Sequence, residues 1–410
     1  MLNHDERASL AKRAKRGLEE VLDFFANQAT DPNGGFFGKV DRDLQPVANA
    51  ERSLVFTARM LWTYAAAYRV LQQERWLRVA RHALDSIETQ FLDPVWGGGY
   101  WVVRADGSPA QDRKYVYGQS FLIYGGAELM RACGDERGLR LAKTVYALLE
   151  ELCADKVHGG YFETYRRDWV RIPESFNIPD PALGSKALNT HLHLIEAYTN
   201  LMRVWDDKDL HTKVGELIQI MSSKLLDTET YHYKPYMTDD WGVTRSLFSY
   251  GHDIEGAWLL VEAAQAHGDA ETVCQCIPIA VRIAEACAQA LDPESGGMYA
   301  ENVEGHVVRD MVWWVQAEAV IGFLNAYELT GEEKYLDWMY RVWDYIDKHV
   351  VDREGGIYRE WLSDAALPAD HPKNRCPING WKTPYHNGRM YMEVLERLKH
   401  WEERQKEFAR

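Results

Sequence analysis

Four segments of this 410-residue chain place histidine, glutamate and tryptophan at spacings that suit acid/base chemistry. In Leu188-Asn-Thr-His-Leu-His-Leu-Ile-Glu-Ala-Tyr, helical spacing gathers Asn189, His193 and Glu196 into a polar stripe and Leu188, Leu192 and Ile195 into an apolar one. A polar stripe of that kind is ordinarily solvated surface. In Ser249-Tyr-Gly-His-Asp-Ile-Glu-Gly-Ala-Trp, Gly251 precedes the expected helix start and His252 and Glu255 stand at i and i+3. A carboxylate so placed orients an imidazole and raises its basicity, while Asp253 reads as a first-turn acid serving the helix dipole. In Trp313-Trp-Val-Gln-Ala-Glu, Trp314 and Glu318 share a face at i and i+4. Adjacent tryptophans cannot both face the same core, so one of the pair is expected to form a sugar-stacking platform or pocket wall. Finally, His386 lies beyond Pro384 in a predicted loop before the last helix, flanked by Trp381, Tyr385 and Asn387. Function concentrates in loops, and an imidazole with an ordinary pKa near about 6.5 serves as acid or base near neutrality.

Other chemistries lack their residues. His191 and His193 at i and i+2 point to different helix faces, and no His-Glu-x-x-His cluster occurs, so no metal site is expected. There is no phosphate-binding Gly-x-x-x-x-Gly-Lys-Ser/Thr loop, and the glycine pairs lack the strand-before, helix-after setting of a dinucleotide fold. No cofactor is expected. With 62 acidic against 47 basic residues the net charge is −15, which repels phosphate backbones and anionic lipid. The expected partner is a small neutral molecule, not nucleic acid or a membrane. Charges occupy the N-terminus where a signal peptide needs apolar residues, and no apolar run reaches the length of a membrane span, so a cytoplasmic location is expected. The six cysteines are scattered through apolar patterns and read as reduced, mostly buried small hydrophobes.

The elements that hold these segments follow from an internal repeat. An acidic residue, a glycine pair and an aromatic recur at Asp31, Asp93, Asp155, Asp292 and Asp352, with a glycine-free copy at Asp227-Thr-Glu-Thr-Tyr. The spacings are 62, 62, 72, 65 and 60 residues, each with room for two helices. Helical periodicity supports them: Leu61, Tyr64, Ala65, Tyr68 and Leu71 share a face, as do positions from Leu141 to Leu152. Glycine supplies the positive φ of a tight reversal, and the following aromatic has strand character. Six helix pairs closed head to tail give an all-α (α/α)6 barrel with short β-hairpin-like loops, read as a single domain over residues 1–410. An open solenoid would need polar terminal caps that are not evident.

At this point a resemblance is specific. Gly-His-Asp-Ile-Glu-x-x-Trp-Leu-Leu at 251–260, Trp-Trp-Val-Gln-Ala-Glu-Ala-Val at 313–320 and Trp-Lys-x-Pro-Tyr-His-Asn-Gly-Arg at 381–389 resemble signatures of cellobiose 2-epimerases, within the N-acylglucosamine 2-epimerase superfamily of (α/α)6 barrels. Segments around Arg59, Tyr117 and Asn189–His193 follow in the same order. The resemblance implies cofactor-independent inversion at C2 of the reducing-end glucose of β-1,4-linked disaccharides, taking cellobiose to glucosyl-mannose and lactose to epilactose. It implies that His252 and His386 are the acid/base pair. By the same resemblance Arg59, Asn189, His193 and Glu255 surround O1 and O2, and Tyr117, Trp258, Trp313, Trp314, Glu318 and Trp381 line the pocket.

The chemistry is consistent with this. A C2 hydrogen beside an aldehyde is removable by neutral imidazole if cationic or hydrogen-bonding groups meet the enediolate oxygens, and inversion requires proton return on the opposite face. The segment Asp168 to Lys186, with Pro173, Pro179 and Pro181, and Ile378-Asn-Gly depart from the pattern, where substrate length would be decided. Mannose 2-epimerases or aldose-ketose isomerases acting on monosaccharides share the framework. An inverting glycoside hydrolase using Glu255 and Glu318, or a carbohydrate-binding barrel using the tryptophans, are the readings from other classes.

Overall fold

The structure, a computed structural model, describes residues 3–175, 184–354 and 357–408. Pro179 and Pro181 of the departing segment, and the glycine pair of the sixth repeat, lie outside the described residues. Twelve α-helices among the described residues form two concentric rings. The inner ring is α2 (Leu54–Leu71), α4 (Val116–Cys133), α6 (Leu188–Met202), α8 (Tyr250–His267), α10 (Trp313–Thr330) and α12 (Tyr385–Phe408). Each inner helix packs on the next and α12 packs back on α2, closing the barrel. The outer ring is α1 (His4–Ala29), α3 (Glu74–Ser86), α5 (Glu136–Leu152), α7 (Lys208–Gln219), α9 (Ala270–Ala288) and α11 (Glu333–Tyr345). The first helix backs the last, α1 on α12, so the chain ends pair with each other.

Only the outer helices are amphipathic in the expected sense. On α3 the buried residues are Trp76, Leu77, Ala80, Ala83, Leu84 and Ser86, one face at helical spacing. On α2 every residue from Leu54 to Ala67 is buried. An inner helix meets its outer partner, two ring neighbours and the barrel interior, so no side faces bulk water. Close approach reinforces this where α4 meets α5: a Cβ on Gly126 would fall 2.5 Å from the Gly138 carbonyl oxygen.

The repeat signature is one turn used again and again. An antiparallel bridge closes it at Thr30 with Phe36, Leu92 with Gly99, Ala154 with Tyr161, Leu226 with Tyr233 and Leu291 with Met298. Inside each, the aspartate carboxylate accepts backbone N–H groups, as Asp93 does from Val95 and Trp96 and Asp155 from Val157 and His158. The glycine-free copy folds identically. Tyr231 there takes φ 59°, the left-handed region that Gly97 and Gly159 occupy at 70° and 76°, at a cost of roughly 1–3 kcal/mol for a non-glycine residue.

These turns also aim the inner helices. Asp31 pairs with Arg52 at 2.5 Å, Asp93 with Lys114 at 3.2 Å and Asp155 with Lys186 at 2.7 Å, all buried. Each basic residue stands in a two-residue strand leading into an inner helix: Arg52–Ser53 into α2, Lys114–Tyr115 into α4 and Lys186–Ala187 into α6. The start of each helix is thereby tied to the preceding turn. Antiparallel pairings of similarly short strands join neighbouring loops, for example Thr164–Tyr165 between Lys114–Tyr115 and Arg171–Ile172. No helix among the described residues is long and apolar enough to cross a membrane. All six cysteines are free, with Cys153, Cys276 and Cys287 buried and Cys274 exposed.

Candidate active site

A cavity of about 520 Å³ opens at the end of the barrel where the inner helices begin. Ten of the twelve residues singled out in the sequence line it: Arg59, Tyr117, Asn189, His193, His252, Glu255, Trp313, Trp314, Trp381 and His386. Most stand within the first two turns of an inner helix, so six helix N-termini, each with a partial positive charge, converge on the space. Glu318 and Trp258 lie beneath the lining and not in it, both buried, with the Trp258 indole N–H donating to Glu318 Oε2 at 3.1 Å.

The floor is a buried network centred on Arg389, a residue to which the sequence reading gave no role. Arg389, 1% exposed, donates through Nη1 to Glu196 and through Nη2 to both Glu255 and Glu318, the last at 2.6 Å. Tyr385 donates its hydroxyl to Glu196. Two histidines hang from this network. His386 Nδ1 lies 2.7 Å from Glu318 Oε1, and His193 Nδ1 lies 3.0 Å from Glu196 Oε2. Glu318 accepts from Arg389, Trp258 and His386 together, so His386 carries its proton on Nδ1 and Nε2 holds the lone pair. On the wall, the Arg59 guanidinium donates to the Tyr117 hydroxyl at 2.8 Å and lies over the rings of Phe121 and Tyr385.

Burial sets the protonation of these groups. It pushes His193, His252 and His386 below the usual imidazole range, so the neutral base predominates near pH 7. Burial raises the Glu196 and Glu318 carboxyls, and the Arg389 guanidinium opposes that rise. Three carboxyls thus share the one guanidinium of Arg389. Glu255, Glu318 and His386 present atoms within 4.8 Å of one another, a spacing that would admit a metal ion, but the Arg389 guanidinium already bonds both carboxylates. The same closeness disfavours an inverting hydrolase, whose carboxyls stand roughly 6.5–9.5 Å apart.

Several local expectations are corrected. The Asn189–His193–Glu196 stripe faces the barrel interior, because α6 belongs to the inner ring. Glu255 does not hydrogen-bond His252; it bonds Arg389, and its Oε1 lies 4.0 Å from His386 Nδ1. The i, i+3 imidazole–carboxylate pair occurs instead at His193 and Glu196. Asp253 is fully buried and accepts from His232 Nδ1 at 2.8 Å and the Tyr233 N–H, so it anchors a loop and does not serve the dipole. Helix α8 starts one residue before Gly251, capped by Ser249 Oγ. His386 stands in the first turn of α12, since Pro384 precedes the helix and does not break it. Both Trp313 and Trp314 line the cavity, because two successive residues at a helix start turn only about 100° apart. Their rings lie 5.7 and 5.4 Å from that of His386.

His191, by contrast, is structural: it accepts from the Tyr161 N–H, its Nδ1 lies 2.7 Å from the Ala187 carbonyl, and burial lowers its pKa to about 4 against the opposing pull of that carbonyl. Lys382, also on the cavity wall, is held by Glu360 at 2.5 Å. Arg389 was visible in the quoted Gly-Arg run, but nothing in its spacing told an interior guanidinium from a surface one.

A closed (α/α)6 barrel with histidines, carboxylates and guanidiniums gathered at the N-terminal ends of its inner helices defines an isomerase of the sugar-epimerase class. The family model of N-acylglucosamine 2-epimerase matches residues 35–386, and the chain belongs to that family. A cellobiose 2-epimerase of Bacteroides fragilis is 36% identical over 379 residues, covering 92% of this chain and 95% of the relative. The solved cellobiose 2-epimerase of Bacillus thermoamylovorans superposes with a TM-score of 0.88 at 36% identity, over 95% of this chain and all of that one. A D-mannose isomerase of Marinomonas mediterranea matches at 24% identity over 93% of this chain and 96% of its own.

Proposed function

We propose that the chain is a cellobiose 2-epimerase in which His252 and His386 move the C2 proton and the whole barrel acts as one catalytic domain. The single observation that carries the reading is two imidazoles, the buried His386 and the partly exposed His252, both lowered in pKa and both lining one cavity whose floor is the Glu–Arg389 network. After ring opening, one imidazole takes the C2 proton, and the electron pair delocalises into an enediolate. Arg59, His193 and the helix N-termini stabilise its oxygens, and the other imidazole returns a proton to the opposite face. Asn189 and Tyr117 orient the open chain. The higher identity to cellobiose epimerases than to the mannose isomerase favours a disaccharide over a free hexose.

The test is incubation with cellobiose, lactose, glucose and mannose in D₂O, with products separated and examined by NMR. Cellobiose is expected to give glucosyl-mannose, and lactose epilactose, each deuterated at C2. Release of glucose from cellobiose would overturn the reading in favour of hydrolysis. A fully protonated C2 in the product would remove the two-histidine mechanism.

Two further outcomes follow. Trp381 is 50% exposed at the mouth, 6.2 Å from the Tyr117 ring, where a second sugar would stack. Trp381→Ala is expected to raise KM for disaccharides more than for mannose, since a lost stacking face removes binding and leaves proton transfer intact; equal loss of kcat on both with unchanged KM would refute it. The pH profile carries a sign as well. A base with a depressed pKa stays neutral to lower pH, so the acid limb of kcat/KM is expected below about 6.5. A limb at or above that value would contradict these imidazoles as the base.

A further inference from the structure

Beside the catalytic cavity lies a second chamber of about 290 Å³, and the two share Asn189, His252, Val312 and Trp314 as a common wall. Its other side includes Ser249, Ala300 and the partly exposed Glu301 on the surface hairpin. The two acid/base histidines relate to it differently. The His252 ring is partly exposed and takes no hydrogen bond among the described residues. His386 does not line the chamber: its Nδ1 is held by Glu318, the rings of Trp313, Trp314 and Tyr385 stand against its own, and it lines the catalytic cavity that substrate fills.

We propose that this chamber is a proton-exchange port serving His252 alone, which lets its imidazolium trade protons with solvent while the enediolate is still bound. The chamber has room for several waters at about 30 Å³ each. The inference rests on the two-histidine reading and adds an asymmetry to it. When His252 breaks the C2–H bond, the electron pair stays in the enediolate and the proton resides on the imidazole. That imidazolium gives the proton to water and takes a solvent proton in return. Collapse back to the starting epimer then places a solvent proton at C2 without inversion. When His386 removes the proton from the other epimer, substrate seals the cavity and the same proton goes back.

The experiment uses the full chain in D₂O with each pure epimer of the cellobiose pair, quenched at low conversion, and reads C2 deuterium in the unreacted substrate as well as in the product. One recovered epimer is expected to gain deuterium at least as fast as it epimerises and the other to remain protiated, while product is deuterated in both directions. Equal deuterium in both recovered epimers, or in neither, overturns the port. Protiated product in either direction would instead sink the two-histidine reading itself, so the two failures are distinguishable. Ala300→Leu, which fills the chamber away from the acid/base groups, is expected to abolish deuterium gain in the recovered epimer while product deuteration persists. If the asymmetry survives that substitution in a folded variant, the chamber is not the route.

Discussion

His386→Ala is expected to lower kcat by roughly 10²–10⁴-fold, the range typical of a lost general acid/base, without unfolding the protein. The imidazole stands on the cavity wall and is not a packing element of the apolar core, and Glu318 keeps Arg389 and Trp258 as partners when it is gone. His252→Ala should cost a similar factor, and here no hydrogen bond is broken at all. Turnover by either variant within about tenfold of the parent, at an unchanged melting temperature, would take that residue out of the acid/base pair. Loss of turnover together with loss of the helical circular dichroism signal would assign it a structural role instead.

Arg389→Met is expected to be the most damaging single substitution at the site, destabilising the fold by about 3–5 kcal/mol, the usual cost of removing one partner from a buried ion network. Glu196, Glu255 and Glu318 would face one another with no central cation. The carboxyls would then bind protons more tightly in the folded protein than in the unfolded chain. A folded-state pKa raised above the unfolded one means stability that is present at low pH and lost as pH rises. The variant should therefore regain stability on acidification from pH 7.5 to 5, provided acid does not unfold the parent over the same window. Urea unfolding of both proteins at the two pH values checks this. A variant as stable as the parent at neutral pH would mean that the three carboxyls are not held as anions by Arg389. Activity should fall too, because Glu318 positions His386 and Glu196 positions His193.

Much of this was legible along the chain because it depends on local spacing. The repeated Asp–Gly–Gly–aromatic turn needs only a carboxylate to take the next backbone N–H groups and a residue tolerant of positive φ, so its six copies announced six hairpins and a ring. His193, His252 and Trp314 stood out as polar or aromatic groups at helical spacing, and His386 as a histidine beyond Pro384 flanked by Trp381, Tyr385 and Asn387, where packing alone did not call for them. Local spacing also misled. The i, i+3 pair of His252 and Glu255 looked like a bonded couple, yet Glu255 is drawn to Arg389, which is 134 residues away in the chain and bears a full charge. The polar stripe on α6 looked solvated because a polar face on one helix reads the same whether it meets water or the interior of a ring.

The sequence by itself determined the number of hairpins, the turns that join them and the residue types available for proton transfer, since these follow from backbone geometry and interactions within a few residues. Only the tertiary structure decided which helix faces turn inward, that Trp258 and Glu318 lie under the cavity and not on its wall, and that Arg389 binds three glutamates from three other helices. The reason is physical. Burial and long-range charge pairing depend on what closes over a side chain, and in a ring of helices those neighbours are supplied by segments 71 to 193 residues away.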